Sequence, residues 1–504
     1  MEQLITTEMT RRILLLNLLY GADDWLTTEK LAARLHCSTK TVFADCRYIE
    51  ERWPDQLTIE TSKKSGIKLT ISTYHSIHDI YVDIIKRSDS FTLMEAIFFH
   101  PRDSSDEMAN RIFLSSSSLY RLSRKLNKAL KERHLSIESN PFTFSGTSER
   151  QIRYFFISYF IEVYGVHKWP FHLDKTKVLN LARKINKDFQ LYLSDFRIIQ
   201  MAFSIAVTLT RLDQGFTAED EMRKEENLAE NLLKCNMEDY QQDLTSLVSD
   251  LNVSTQPNWK NDFCYSVFWW IFGNDSSETE EKTQILADQL ILAVNNELNT
   301  SIDDLSRKKI NQIIRNLYCY HRIYPYKKHI IYSRFFYSGK SIKQNFILFS
   351  TRISKVLTEV EKSDGLPWNT FYLNEVLHDF MLYWEDLPTQ LFNNRGKVSI
   401  AVLSDLGKEH AEVMGTILRM TFLNNVSVTT QNASLFDSPK KQSGSKRDLY
   451  VSNHHIEHVS QEKVVVVEDI LSSKNIVELR KIIEQNQLFA FTNAKKKAAT
   501  AKQS

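Results

Sequence analysis

From Arg121 to Arg133 the chain carries six basic residues and one acid, Glu132. Arg121, Arg124, Lys128 and Lys131 fall at i, i+3, i+7 and i+10, which is one face of a helix, and Lys125 stands beside them. Leu119, Leu122, Leu126 and Leu130 trace the other face as a buried stripe. Exposed helix faces normally mix signs, because like charges three or four residues apart repel. A stripe of one sign is favoured where an anion offsets it, and duplex DNA presents such anions at regular spacing. The four serines at 115–118 supply a break and a cap ahead of this helix, and Ser117 joins the basic residues as a candidate contact. A helix over 105–114, with Met108 and Ile112 inward, precedes the break. Helix, short break, helix is the helix-turn-helix arrangement, whose second helix lies in the major groove with its first turns at the base edges.

The same pattern occurs earlier in the chain. A helix over 11–20 is followed by one over 28–35, which Thr27 can cap while Leu26 packs on Leu31 as a staple. After His36-Cys37-Ser38 a further helix begins, capped by Ser38, with Val42, Cys46 and Ile49 at i, i+4 and i+7 as its buried stripe. Ser38, Thr39, Lys40, Thr41 and Arg47 are the candidate contacts there. Alternating residues at 57–60 and 67–71 read as two strands of a wing, and the turn at 61–66 puts Lys63 and Lys64 where phosphate would lie. A second wing follows the second head, at 135–137 and 142–144 around Asn140-Pro141. Winged helices also serve as protein-docking modules, so spacing alone does not choose DNA. The one-sign stripe is what favours it.

The rest of the chain must position these helices, and its composition says how. Gly is 12 and Pro is 9 among 504 residues, a scarcity that implies long helices and short loops. Hydrophobic residues make up 42% and aromatics 11%, enough for several buried cores. Lys+Arg is 64 against Asp+Glu 62, so any basic surface is local. The nearest glycines, Gly407 and Gly415, are too far apart for a dinucleotide fingerprint or a phosphate loop of clustered glycines. The five cysteines form no paired motif, which argues against a cysteine-based zinc site and fits a reducing compartment. No apolar run reaches the length of a membrane span; the longest is 263–272. The expectation is a helix-rich cytoplasmic protein without cofactor or metal.

Residues 170–283 and 284–392 read as two all-helical units joined by a polar stretch at 274–281. A long helix over 196–212 marks the first and one over 310–324 the second, the latter with His321-Arg322 in its last turn. The aromatic group Tyr265, Phe268, Trp269, Trp270 and Phe272 reads as core or dimer contact. Strands at 397–403, 426–428, 448–451 and 464–467 alternate with helices at 409–423 and 475–487, which implies a small parallel, doubly wound sheet. Ligands in such sheets bind beyond the carboxyl ends of the strands, here near Ser404-Asp405-Leu406-Gly407-Lys408. His454, His455 and His458 have only Glu457 as a nearby carboxylate, and no metal site is assigned to them. The stretch from Ala494, with Lys495-Lys496-Lys497, reads as a disordered basic tail.

Two winged helices, two helical units and a small α/β domain in this order resemble the Mga/AtxA-type virulence regulators of Gram-positive bacteria. The resemblance covers nearly the whole chain, and its most specific part is the double head, above all 115–131. It implies that the helical units are PTS regulation domains (PRDs), that the α/β unit is similar to an enzyme IIB component of the sugar phosphotransferase system, and that the chain dimerises through its C-terminal half. It further implies phosphorylation sites, from which this sequence departs. The histidine that a PRD carries seven residues before its helix-ending arginine is Ser204 before Arg211 and Arg315 before Arg322. A later position falls on Trp269. His378 stands where the family can carry a phosphorylated histidine, and His321 is the other candidate. The phosphate-bearing cysteine of a IIB domain is Ser404 here, and a serine lacks the low-pKa thiolate for that transfer.

The sequence therefore leads to a multidomain, mainly α architecture. Its expected parts are a winged helix-turn-helix domain at 1–72, a second at 73–168, PRD-like units at 169–283 and 284–394, an EIIB-like α/β domain with a parallel sheet at 395–490, and the tail at 491–504. The expected function is a non-enzymatic homodimeric transcription regulator. Its partner would be double-stranded DNA, with phosphotransferase-system phosphoryl donors as further partners and no membrane. The alternatives are an RNA-binding PRD antiterminator, opposed by the helix-turn-helix pairs, and a phosphotransfer protein of sugar uptake, opposed by Ser404.

Overall fold

Hydroxyl and carboxylate side chains start the helices of the N-terminal half. In the computed structural model, which describes residues 5–22, 24–222, 237–255, 258–268, 277–394, 396–430, 447–456 and 459–501, Thr6, Thr27, Ser38, Ser115, Ser148, Asp174 and Ser194 each accept an N–H of the first helical turn. Each satisfies a donor that the helix itself leaves without a partner. Ser104 and Glu107 form a reciprocal capping box. The caps expected at Thr27 and Ser38 are those observed.

The first head runs α1 (Thr7–Tyr20), α2 (Thr28–Arg34), α3 (Thr39–Arg52), β1 (Leu57–Ser62) and β2 (Gly66–Ile71), the strands pairing antiparallel with Leu57 opposite Ile71. Gly66 has φ +102°, and a Cβ there would sit 2.1 Å from the carbonyl oxygen of Leu26. That close approach lets Leu26 and Ile67 exchange backbone hydrogen bonds at 2.9 and 2.8 Å, which ties the wing to the start of α2. After α4 (Ile77–Lys86), the second head repeats the order with α5 (Asp89–Phe99), α6 (Ser105–Arg111), α7 (Ser116–Leu130), β3 (Leu135–Ser139) and β4 (Phe142–Gly146). The break between α6 and α7 differs from the expected one. It lies at 112–114, where Phe113 takes φ +57°, and of the four serines only Ser115 is outside the helix, as its cap. Ile112 is accordingly half-buried, where the sequence pattern points it inward.

α8 (Glu149–Tyr164), which periodicity alone does not single out, is buried on every side. Its aromatic residues pack among Phe98, Phe144 and Phe171, and Tyr159 donates to Glu95 at 2.5 Å. Its charged residues are buried too. Arg153, whose side chain is 1% exposed, meets Asp262, also 1% exposed, at 2.6 Å and Glu149 at 3.1 Å. It also donates to Ser266 at 2.6 Å and to the Phe216 carbonyl at 2.9 Å. Arg211, at the end of α10 (Asp195–Asp213), grips both oxygens of Glu149 at 2.8 and 2.7 Å and lies over the Phe216 ring. Asp262, on α11 (Trp259–Val267), also accepts the Ala218 N–H. Two cations and two anions thus cancel within one buried network that joins three helices. α9 (Lys175–Asp188) packs along α10.

The chain divides into two compact units, Met1–Thr283 with Ile314–Arg334, and Gln284–Ile313 with Phe335–Ser504. Residues 314–334, expected in the second helical unit, belong to the first. Their apolar side chains Tyr320, Ile323, Tyr324 and Ile330 lie in its core. The helix expected over 310–324 spans Asp304–Ile323, and Ser277–Leu298 is helical, so residues 277–281 of the expected polar joint are helix. The second unit contains helices Arg334–Asn345, Ile347–Asp364, Leu373–Tyr383 and Leu387–Asn393, then a four-stranded parallel sheet. Its strands are β5 (Val398–Leu403), β6 (Val426–Thr430), β7 (Leu449–Ser452) and β8 (Val464–Val466), in the order β6-β5-β7-β8. The closing helix runs Ser473–Ala501. The expected disordered tail is therefore helical to Ala501, because a stretch of Ala and Lys without Gly or Pro favours helix continuation. Trp269, Trp270, Phe272, residues 274–276, Glu457, His458 and residues 502–504 lie outside the described residues.

Asp262→Ala leaves the Arg153 guanidinium buried and half-paired. It should destabilise the first unit by about 3–5 kcal/mol, against about 1–3 kcal/mol for Ser266→Ala, which removes one hydroxyl partner of a charge. Urea midpoints of the two variants check this ordering.

Candidate nucleic-acid interface

α3 is held from below by its apolar stripe and by one buried carboxylate. Val42, Cys46 and Ile49 are buried as expected, and burial pushes the Cys46 thiol up to about 12, so it stays a protonated core group. Asp45, also buried, accepts from Arg11 at 2.6 Å and Arg12 at 2.9 Å, and Arg12 lies 3.5 Å over the Tyr48 ring. These contacts fix the rotation of α3 on α1. Glu50, the twelfth residue of α3, accepts the N–H of Ile59 in the wing at 3.2 Å. α7 uses its own twelfth residue in the same way. Asn127 accepts the Ile137 N–H at 2.6 Å and donates to the Ile137 carbonyl at 2.9 Å. In both heads the third residue of the first wing strand is thereby fastened to the second helix.

With both helices fixed, their outward faces are defined. On α3, Thr39, Lys40 and Arg47 are exposed, and so are Lys63 and Lys64 at the wing tip. Ser38 and Thr41 are engaged in the cap: Ser38 Oγ accepts the Thr41 N–H at 3.1 Å and lies 2.8 Å from its hydroxyl. Their hydroxyls serve the helix start. On α7, Ser117, Arg121, Arg124 and Lys128 are exposed, as is Lys131 at its C-terminal cap, and no acidic residue lies within the helix. Arg121 folds back, its Nε donating to the Ser117 carbonyl at 3.3 Å.

Two members of the basic run point elsewhere. Lys125 is half-buried and its ammonium donates to the Ile5 carbonyl at 3.0 Å, with burial holding its pKa below the ordinary value. It is not part of the exposed stripe. Arg133 is buried and reaches the hydroxyl of Tyr324 and the carbonyls of Lys327 and His329, both at 2.8 Å. The arrangement can bind a polyanion through Arg121, Arg124 and Lys128 of α7 with Lys131 at its end, while α3 offers a mixed polar face at its N-terminal turns.

Family models match both heads. The M protein trans-acting positive regulator (MGA) HTH domain matches residues 6–65 and the Mga helix-turn-helix domain matches residues 73–160. Both heads are Mga-type helix-turn-helix domains, and the chain is a transcription regulator similar to the Mga/AtxA type. A protein of Streptococcus pneumoniae serotype 4 described as a trans-acting regulator is 25% identical over 490 residues, 93% of this chain and 96% of its own. The anthrax toxin expression trans-acting positive regulator of Bacillus anthracis is 21% identical over 502 residues, 95% of this chain and 99% of its own. The capsule synthesis positive regulator AcpA of Bacillus anthracis is 28% identical over 211 residues, 41% of this chain and 43% of its own. These relatives are regulators, in keeping with a chain that is not an enzyme.

In this regulator the segment after residue 323 clasps the second head. Beside the Arg133 contacts, the Tyr326 hydroxyl lies 2.6 Å from His134 Nδ1, and Glu162 of α8 accepts the N–H groups of Ile330, Ile331 and Tyr332 at 2.6–2.7 Å. The histidines singled out for phosphorylation differ in access. His321 is 9% exposed, whereas His378 is half-buried with its ring edge-on to Phe335. Ser204 is buried on α10. Ser404, at the end of β5, is buried; its Oγ lies 2.7 Å from His410 Nδ1 and accepts the Leu406 N–H at 3.0 Å. Among the described residues no helix is long and apolar enough to cross a membrane, and no group of His, Cys, Asp and Glu is arranged to hold a metal ion.

Sequence reasoning misses two exposed aromatics on the outward faces, Phe43 and Tyr120. Counting both helices from their serine caps finds them, since each is the fifth residue.

Burial, with Arg133 and Lys327 nearby, lowers the His329 pKa to about 4. Between about 4 and the ordinary 6.5 the unfolded chain binds more protons there, so this contribution to stability is lost as pH falls through that window, by about 3 kcal/mol in all. Burial pushes Glu162 in the opposite sense, up to about 7. The His329 contribution is therefore read as the difference between the protein and its His329→Gln variant, which should shrink by that amount from pH 6.5 to pH 4 in urea titrations.

Proposed function

We propose that this chain is a homodimeric regulator of virulence genes that grips duplex DNA mainly through phosphate at the second head and adds base reading from the first. The observation that carries this reading is the outward face of α7. Arg121, Arg124 and Lys128 are exposed on it and Lys131 caps its C-terminal end, with no acid in the helix and Glu132 the one acid adjoining the run. Such a face binds any duplex through counterion release and carries no sequence information by itself. Lys63 and Lys64 at the first wing add phosphate contacts, while Thr39, Lys40 and Arg47 occupy the turns that meet base edges in helix-turn-helix docking.

The C-terminal half supplies dimerisation and control in this reading. The helical parts act as PRDs and the parallel-sheet domain as an EIIB-like module that has Ser404 in place of a phosphate-bearing cysteine. His378 is the site that receives phosphate from phosphotransferase-system donors; the burial of His321 argues against that residue, because transfer needs an open ring. The toxin and capsule regulators among the relatives support virulence genes as the target.

The test is fluorescence anisotropy on a mixed-sequence duplex across a salt series, with single-stranded RNA alongside. The Arg121→Ala/Arg124→Ala/Lys128→Ala protein should bind more weakly to all duplexes, and its log K against log salt slope should be shallower by about 0.9 for each phosphate no longer neutralised. Lys125→Ala should leave the slope unchanged. Equal binding by the triple variant, or no duplex binding by the parent, would make the double head a protein-docking platform. Preference for RNA would favour the antiterminator reading.

A further inference from the structure

The two second helices of the heads are built in one register. Counted from the residue after the serine cap, the fourth, eighth and eleventh residues are buried in both: Val42, Cys46 and Ile49 in α3, and Leu119, Ser123 and Leu126 in α7. The twelfth fastens the wing in both. The ninth is an exposed arginine in both, Arg47 and Arg124. The fifth is an exposed aromatic in both, Phe43 at 47% and Tyr120 at 63%. Burial and fastening explain the inward positions. Nothing in the fold explains why an aromatic ring is turned to solvent at the same step of each helix, one turn ahead of an arginine.

We infer that Phe43 and Tyr120 are specificity-determining residues that pack on thymine methyl groups in the major groove. The reading rests on the DNA-binding function proposed above and adds to it what the heads select. The fifth residue lies in the second turn, within the part of the helix that reaches base edges. A phenylalanine ring offers no hydrogen bond, and the apolar feature that the major groove presents is the thymine C5-methyl group. The cations around each ring fit a polyanion: Lys40 and Arg47 flank Phe43, while Arg121 and Arg124 flank Tyr120. Arg124 already lies 5.9 Å over the Tyr120 ring, which directs both groups outward together. On α3, the next residue, Ala44, is exposed as well. Each head thus combines a ring for a methyl group with an arginine for the flanking backbone.

Deoxyuridine differs from thymidine only by that methyl group, so it provides the test. Duplexes are enriched from a random pool with the full-length protein. In the tightest duplex each dT is then replaced in turn by dU, and binding is followed by anisotropy. Replacement at a small set of positions should weaken binding about fourfold each, the value of one buried methyl-sized group. Phe43→Ser should abolish the dT/dU difference at one subset of positions and Tyr120→Ser at another. Phe43→Leu, which keeps an apolar contact, should retain part of the difference. Both rings are exposed, so the cores stay intact; the unfolding midpoint of each variant confirms it. Indifference to dU at every position, or serine variants that keep the full difference, would overturn the inference while leaving salt-dependent duplex binding standing. Failure of the parent to bind any duplex would overturn the DNA-binding function itself.

Discussion

A helix buried on all sides cannot carry charge unless the charge is cancelled where it lies. α8 carries Glu149, Arg150, Arg153 and Glu162 inside the first unit, and the arrangement around it follows from that constraint. Glu149 and Arg153 are matched by Arg211 and Asp262 from two other helices, and Arg150 by Glu221 at 3.0 Å. Glu162 is matched by three backbone N–H groups of the 330–332 segment. Each partner comes from a different part of the chain, so the pairing fixes those parts relative to α8. Replacing such a network by well-packed apolar residues costs little or nothing in many proteins, so its contribution here is geometric. Ion pairs have one good arrangement, whereas an apolar face tolerates rotation and sliding.

That geometry reaches the recognition surface through few steps. Gln151 of α8 donates to the Arg133 carbonyl at the end of the α7 region, and Arg133 in turn holds the 324–329 segment. The residue that charge counting assigns to a DNA-facing run is thus one of the anchors of the second head. The two basic residues that leave the run, Lys125 and Arg133, are those whose partners lie far away in sequence. Helical spacing gives the direction in which a side chain leaves the helix, and it contains no information about a carbonyl contributed by residue 5 or residue 327.

The same distinction explains which parts of the architecture are legible in the sequence. Caps, stripes, wings and the parallel strands are local patterns, and the structure has them at Thr27, Ser38, 57–71 and β5–β8. α8 escapes such reading because a helix buried all round has no amphipathic period to detect. The turn between α6 and α7 falls earlier than the serine run suggests, because serine is as good in a first helical turn as in a break. Only the backbone shows that Ser115 alone caps. The assignment of 314–334 to the first unit depends on tertiary contacts of Tyr320, Tyr324 and Ile330, to which sequence order is blind. Among the candidate contacts, Ser38 and Thr41 stand out for their hydroxyls, and those hydroxyls are consumed by the helix start that makes the position recognisable.

Comparing the two heads by register, rather than by overall composition, separates what holds them from what they present. The buried fourth, eighth and eleventh residues and the fastening twelfth are shared because both heads solve one packing problem. The sixth and tenth residues are not shared: Ala44 and Tyr48 in the first head correspond to Arg121 and Lys125 in the second. Fold requirements would accept either kind of residue at the sixth position, which is exposed in both. The difference therefore lies in what each face meets. A face with many cations gains affinity uniformly over sequence and loses it steeply with salt. A face with a ring, a methyl and two separated cations gains less from phosphate and more from the identity of the bases. The second head, with more cations beside its ring, is thus weighted towards affinity, and the first, with fewer, towards discrimination.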